Sequence, residues 1–326
     1  MKKYKIFDDL ALTKSVCLIG HMEPDADALC SMVVLRDFLM RYFNIKAVGL
    51  FAECESLPNN YYPILENIKI NKPIKNYEVA IMMDTPNIDR LGNYRELFEK
   101  AKKKIVIDHH KTNTYSGDIN LVEDVSSTCE IVFNILKAYK YEISKSNFGR
   151  IYAGIITDTN NFVVGNFNSK TLEIASKCMK YIDYKKIYKN FLGNNTLRNM
   201  NLLSLAIQNI ITLEDGKIII THITHEQARR QRAHFNDYMG IINKISSISG
   251  SKLILFVYPR DDEYYVSMRA DVGYDVAIIA KKYGGGGHAG AAAYISDKDL
   301  KEIEKEVLVE FFNQIKKPTR QSTKLF

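Results

Sequence analysis

Cysteine is scarce in this chain: Cys17, Cys30, Cys54, Cys129 and Cys178 are widely spaced, odd in number, and form no C-x-x-C pair. A disulfide-stapled scaffold and a zinc ribbon are thereby excluded, and buried free thiols in a reducing compartment are expected. Long apolar runs are missing too. Asp8, Asp9 and Lys14 interrupt the place where a signal-peptide core would lie, and no run approaches the ~20 residues that a membrane span requires. A cytoplasmic protein that inserts in no membrane is expected, and the sequon Asn194-Asn195-Thr196 reads as an accident of composition. Nor is one sign of charge dominant. Lys and Arg number 45 against 38 Asp and Glu, a formal charge of +7; this suits an anionic ligand and falls short of a surface built to coat nucleic acid. Internal repeats, low-complexity tracts, aromatic-rich grooves and long basic stripes are all lacking, so binding of long duplexes is not expected.

What is present is a globular composition, 46% hydrophobic and 25% charged, over 326 residues. At about 150 residues per domain that length predicts two domains. Residues 15–20 (SVCLIG), IKAVGLF, EVAIMM (78–83) and KKIVI (103–107) read as strands, alternating with helical periodicity over 27–43, 87–101 and 126–141. This pattern predicts an α/β domain, a parallel sheet with helices on both faces, over 1–185. Residues 183–212 carry no strand signal and predict a helical linker, set at 186–215. A smaller mixed α/β domain follows over 216–326: strands in GKIIITHI, KLILFVY and EYYVSMRA, a turn at Pro259-Arg260-Asp261-Asp262, a short helix (275–283), a glycine run, a strand (AAAYI) and a helix over 298–316. The polar tail KKPTRQSTKLF reads as a frayed terminus.

The chemistry gathers at the ends of apolar runs. His21-Met-Glu-Pro-Asp25-Ala-Asp27 follows the first strand, Asp84 follows EVAIMM, Asp108-His109-His110 follows KKIVI, and Asp158 follows the apolar stretch IYAGII. Taken alone, the first segment reads equally well as a loop of solvated acids with Asp27 capping the next helix. Their common position, the carboxyl edge of a parallel sheet, is where open α/β folds bind ligands. His21, Asp25, Asp27, Asp84, His109 and Asp158 supply two imidazoles and four carboxylates, too much negative charge to gather without cations. An oxygen-rich site with two imidazoles fits Mn²⁺ well and Mg²⁺ less well. Two such ions roughly 3.5–4 Å apart generate a hydroxide and clamp displacement at phosphorus, which makes phosphoester hydrolysis the natural reaction. The second segment is Gly284-Gly285-Gly286-Gly287-His288-Ala-Gly-Ala-Ala-Ala293. Its glycines let backbone N–H groups approach an anion, His288 can donate to a phosphate, and Arg269 on the preceding strand can supply a fork. A glycine hinge and an ordinary surface arginine are the bland alternatives.

HMEPDAD, MMDTPNIDRLG, IDHHKTN and ITDT, followed by GGGGHAGAAA, together resemble the DHH/DHHA1 phosphoesterases, in particular the short two-domain oligoribonucleases (nano-RNases) that also act on 3′-phosphoadenosine 5′-phosphate. The resemblance covers residues 15–296. It implies that His21, Asp25, Asp27, Asp84, His109 and Asp158 ligate two Mn²⁺, with Asp84 bridging. It further implies that His110 acts on the substrate phosphate, that Asp108 orients the histidines, and that Arg269, Gly285, Gly286, Gly287 and His288 form a substrate clamp. Departures are Glu23 where Asn is usual, Ala26 for Gly or His, Asn160 for Gly, and Ala293 for the last Gly. The implied activity is hydrolysis of very short oligonucleotides, two to five long, to 5′-mononucleotides, and of 3′-phosphoadenosine 5′-phosphate, in a cleft between the domains. The alternatives are a cyclic-di-AMP or linear-dinucleotide phosphodiesterase and a non-enzymatic nucleotide-binding module. A homodimer is compatible with the sequence.

Overall fold

A computed structural model describes residues 2–10, 13–54, 57–65, 68–74, 76–193 and 196–316. The polar tail beyond Lys316 and the first two sequon residues lie outside these. The chain divides into two compact units, Met1–Asn194 and Asn195–Phe326.

The first unit runs β1 (Ser15–Ile19), α1 (Ala26–Tyr42), β2 (Ala47–Phe51), α2 (Tyr62–Leu65), β3 (Val79–Met83), α3 (Arg95–Glu99), β4 (Lys103–Asp108), β5 (Ile119–Val122), α4 (Thr128–Ala138), α5 (Lys145–Asp158), α6 (Ser169–Met179) and α7 (Tyr184–Phe191). Its five strands form an all-parallel sheet in the order β2-β1-β3-β4-β5. The interior strands β1 and β3 are buried at every position, which is why they read as unbroken apolar runs rather than alternating ones. Successive residues face opposite sides. Val16, Leu18 and Ile81 enter a core with α1, α4 and α5, whereas Cys17, Ile19, Ala80 and Met82 meet Leu91, Phe98 and Ala101 on the other face. Helices therefore cover both sides, as the alternation predicted. Cys17, Cys30, Cys129 and Cys178 are buried free thiols, and Cys54 is half-buried.

Two expectations for the first unit need correction, and one strand is added. The stretch IYAGII is the interior of α5, not a strand, so Asp158 ends a helix. Ser144 caps that helix by accepting from the Asn147 N–H, and the apolar run continues its buried face. Residues 87–101 fold mainly as 3₁₀ turns over Ile88–Tyr94, with only the short α3 beyond. Between KKIVI and α4 the sheet gains β5, a half-exposed strand of four residues.

The second unit contains α8 (Leu197–Gln208), β6 (Ile211–Leu213), β7 (Ile218–His222), α9 (His225–Gln231), α10 (Ile241–Ile245), β8 (Leu253–Arg260), β9 (Glu263–Ala270), α11 (Val276–Lys282), β10 (Gly286–His288), β11 (Ala291–Ser296) and α12 (Leu300–Lys316). Its mixed sheet runs β10-β11-β9-β8-β7-β6, with only β7 and β8 parallel. One face carries α11 and α12 through Val276, Ile279, Ile303, Val307 and Phe311. The other packs Ile219, Ile254 and Phe256 against Leu202, Ala206, Ile241 and Ile245. Burial of Leu202 and Ala206 in this core makes α8 a wall of the second unit rather than a free connector, and β6 falls in the stretch expected to lack strands. The hairpin turns at Asp261 and Asp262 alone, because Pro259 and Arg260 pair with Tyr264 and Glu263 inside the ladder.

Candidate active site

Four segments of the first unit converge at the carboxyl edge of its sheet. β1 leads through Gly20 to His21, which is buried. The following turn is pinned where the Met22 N–H donates to the Arg90 carbonyl (2.8 Å) and the Glu23 N–H to the Glu53 carbonyl (2.7 Å). Glu23 adopts φ 52 there. Asp25 is the N-cap of α1, with Oδ1 accepting from the Ala28 N–H at 2.9 Å. Asp27 lies one half-turn on, inside the helix and not on a solvated loop. The Asp25 side chain is half-exposed, while Asp27 is fully buried. Nor does Asp27 cap α1. Its two oxygens accept the first N–H groups of α4, from Thr128 (2.7 Å) and Cys129 (3.0 Å), in the anion-binding geometry of a helix N-terminus.

Asp84 ends β3 with φ 53, a conformation that costs a non-glycine residue energy, and is held by its N–H to the Ile107 carbonyl at 3.0 Å. Its Oδ1 accepts from the Thr128 hydroxyl at 2.9 Å. The two oxygens look in different directions: Oδ2 lies 3.9 Å from His21 Nε2 and Oδ1 3.4 Å from His109 Nε2. Asp158, from the end of α5, places Oδ2 3.1 Å from the same His109 nitrogen.

Each histidine is oriented through Nδ1. His21 meets the Met22 carbonyl (2.8 Å), His109 the Val125 carbonyl (3.3 Å) and His110 the Asp108 carboxylate (2.7 Å). That arrangement turns Nε2 of His21 and His109 toward the carboxylates, as in metal-binding imidazoles. Asp108 is wholly buried, and its second oxygen accepts from the Asn113 amide at 2.6 Å.

The cluster can hold metal ions. Three groups each present ligand atoms within 4.8 Å of one another: His21, Asp25 and Asp84; Asp27, His109 and Asp158; Asp84, His109 and His110. The groups overlap through Asp84 and His109. The electrostatics fit a cation as well. Burial pushes Asp27 up to about 7, with the Asp84 charge adding to it. Burial likewise drives Asp158 well above the carboxylate range, although His109 opposes this. For Asp84 burial acts upward, but the hydrogen bond and charge of His109, with His110 and His21, hold it well below that range. His109 loses by burial and gains more from Asp84 and Asp158, so it stays well above its ordinary 6.5. Acids that keep their protons in this way lack positive charge, and a hard cation supplies it.

Four supports had gone unnoticed in the sequence: Asn113, Thr128, the α4 N-terminus and Gly154. A Cβ on Gly154 would run into Asp27 Oδ1 and Cys129 Sγ, so only glycine lets α5 pass the buried carboxylate. The readable signal was Ser126-Ser127-Thr128, a helix start in which Ser127 caps α4.

The clamp residues belong to the second unit. Arg269 on β9 is half-buried beside a cavity of about 420 Å³. Gly286 lines that cavity, with open space where a side chain would stand. Gly285 and Gly287 instead admit β11: side chains there would strike the carbonyls of Ala293 and Ala291. The His288 side chain lies outside the described residues.

Residues 15–157 match the DHH family, N-terminal domain, and residues 215–317 match the DHHA1 domain. The bifunctional oligoribonuclease and PAP phosphatase NrnA of Bacillus subtilis is 25% identical over 312 residues, 93% of this chain and 97% of that protein. The protein of the same name from Mycoplasma genitalium is 26% identical over 306 residues, 90% and 93% of the two chains. An exopolyphosphatase-related protein from Bacteroides fragilis shares the fold with a TM-score of 0.88 and 21% identity, covering 97% of this chain and 98% of that one.

Proposed function

From its membership of the DHH/DHHA1 phosphoesterases we infer that this chain is a manganese-dependent phosphodiesterase that cuts very short oligonucleotides, two to five long, to 5′-mononucleotides, and that it also dephosphorylates 3′-phosphoadenosine 5′-phosphate. One observation carries the reading: Asp84 turns Oδ2 to His21 and Oδ1 to His109, so one carboxylate stands between the His21–Asp25 ligands and the Asp27–His109–Asp158 group. His21, Asp25 and Asp84 would hold one Mn²⁺, and Asp27, His109 and Asp158 the other, with Mg²⁺ as the weaker alternative. Bound there, the cations would supply a hydroxide and neutralise the phosphate. Asp108 fixes the Nδ1 of His110, so Nε2 is the atom that would donate to a phosphate oxygen as charge builds on it. Burial draws the His110 pKa down, but its bond to Asp108 and the Asp84 charge raise it above the ordinary value, which favours the donor form. In the second unit Arg269, Gly285, Gly286, Gly287 and His288 would hold the nucleotide; Arg269 and Gly286 border the cavity, and Gly285 and Gly287 shape the strand beside it. Likeness to relatives named as oligoribonucleases and PAP phosphatases over nine-tenths of the chain supports the substrate class.

The test is product analysis of dinucleotides, pentanucleotides, long strands, cyclic dinucleotides and 3′-phosphoadenosine 5′-phosphate side by side. Dinucleotides and the bisphosphate should be consumed fastest. Chelation should abolish turnover, and Mn²⁺ should restore it better than Mg²⁺. A long strand cut as fast as a dinucleotide, or full activity after exhaustive chelation, would overturn the reading.

A further inference from the structure

Among the described residues Arg269 forms no ion pair, although it is half-buried, and burial lowers its pKa from the ordinary guanidinium value with no carboxylate to offset the loss of water. A desolvated guanidinium facing a cavity needs an anion, and the cavity beside it has about 420 Å³ of room. The walls combine apolar and aromatic faces, among them Met239, Ile242, Phe256, Tyr258 and Tyr265, with the polar Asn243 and Ser267. That combination suits a phosphate carried on a flat, weakly polar body, the description of a nucleotide.

Two protein groups decide which edge of the guanidinium the anion meets. The Nε–H donates to Asn243 Oδ1 at 3.1 Å, and an Nη1–H donates to the Met268 carbonyl at 3.0 Å. A guanidinium has five N–H groups, so three remain, all on the Nη end. We propose that Asn243 is a positioning residue: by occupying Nε it stops the side-on fork, turns the Nη edge of Arg269 to the cavity, and so sets the affinity for the phosphate of a nucleotide. Asn243 itself sits on α10, is exposed, and lines the same cavity. An asparagine serves here where an aspartate would not. A carboxylate would bond the same Nε–H but neutralise the charge that the anion requires.

The inference rests on the reading of Arg269 as the clamp, and the experiment separates the two. Binding of adenosine 5′-monophosphate and of adenosine to the full-length, Mn²⁺-loaded protein is measured by calorimetry, beside KM and kcat for a 5′-phosphorylated dinucleotide. Asn243→Ala should weaken monophosphate binding and raise KM by about three- to tenfold, the worth of one hydrogen bond, with the loss falling on KM rather than kcat. Asn243→Asp should weaken both more strongly, and Asn243→Gln should recover part of the loss. Adenosine affinity should change little in all three. Since Asn243 is exposed, the variants should melt near the parent, and circular dichroism checks this. If Arg269→Ala abolishes monophosphate binding while Asn243→Ala and Asn243→Asp leave it unaltered, the positioning role is wrong and the clamp stands. If Arg269→Ala also leaves it unaltered, the clamp falls and takes the inference with it.

Discussion

Asp84 and His110 stand within 4 Å of each other, yet their surroundings assign them different work. Asp84 faces imidazoles through both oxygens and takes a third contact from Thr128, the environment of a ligand held in place. The Nδ1 of His110 meets a buried carboxylate braced by Asn113, the environment of a group aimed at something else. Asp84→Asn should therefore empty the metal site, as read by elemental analysis after gel filtration. His110→Ala should keep the metal and lose roughly 10²-fold or more in kcat, the scale of one transition-state donor. The third ligand group, which includes His110, supplies the competing outcome. Should His110→Ala lose metal as readily as Asp84→Asn, this histidine is a ligand and the assignment of roles is reversed.

Among the elements, what could be read from sequence was set by burial. β1, β3 and the Ile105–Ile107 run of β4 declare themselves because strand segments covered on both faces are apolar, and the acidic and His residues at their ends then fall on one sheet edge. β5 escapes notice because it is short and half-exposed, with no run to mark it. IYAGII deceives for a different reason: six apolar residues satisfy a strand or a buried helix equally, and the deciding cap lies seven residues upstream at Ser144. Asp27 could not be placed from its spacing at all, since its partner, the N-terminus of α4, lies about 100 residues away in sequence. The turn that follows α5 explains one departure from the family pattern. Asn160, Asn161 and Phe162 all have positive φ, at 45, 58 and 63, separated from Asp158 by Thr159 alone. Glycine takes this conformation without cost and asparagine nearly so, whereas a β-branched residue does not. Asn160→Gly should leave stability within a few tenths of a kcal/mol, and Asn160→Val should lose about 1–2 kcal/mol in urea unfolding. Equal stability of the two variants would show that the turn relaxes and does not constrain Asp158.

For the molecule as a whole, the acid cluster turns pH into stability through the first unit. Asp27, pushed up to about 7 chiefly by burial, keeps a proton in the folded chain at pH values where the unfolded chain has released it. Its contribution therefore becomes less favourable as pH climbs from the ordinary 3.8 toward the raised value, and Asp158, raised by burial too, acts in the same direction. His109 adds to this trend. Its pKa is raised above 6.5, burial notwithstanding, by the bond to Asp84 and the Asp158 charge, so its stabilisation is complete below 6.5 and is lost as pH rises through the folded value. Asp84 acts oppositely and elsewhere: held low by His109 against the pull of burial, it stabilises above 3.8 and fails only in acid. Between about pH 5 and pH 8 the metal-free protein should thus lose stability with rising pH. Mn²⁺ competes with those same protons, so the gain in Tm on adding it should widen across the interval, and binding should release protons, measurable by calorimetry in buffers of different ionisation enthalpy. At about 100 times Kd the stabilisation should approach ~2.7 kcal/mol. A Mn²⁺-induced Tm shift that stays flat over this range, without proton release, would mean that Asp27 and Asp158 are already ionised before the cation arrives. The cluster would then be neutralised by its own histidines rather than built for a metal.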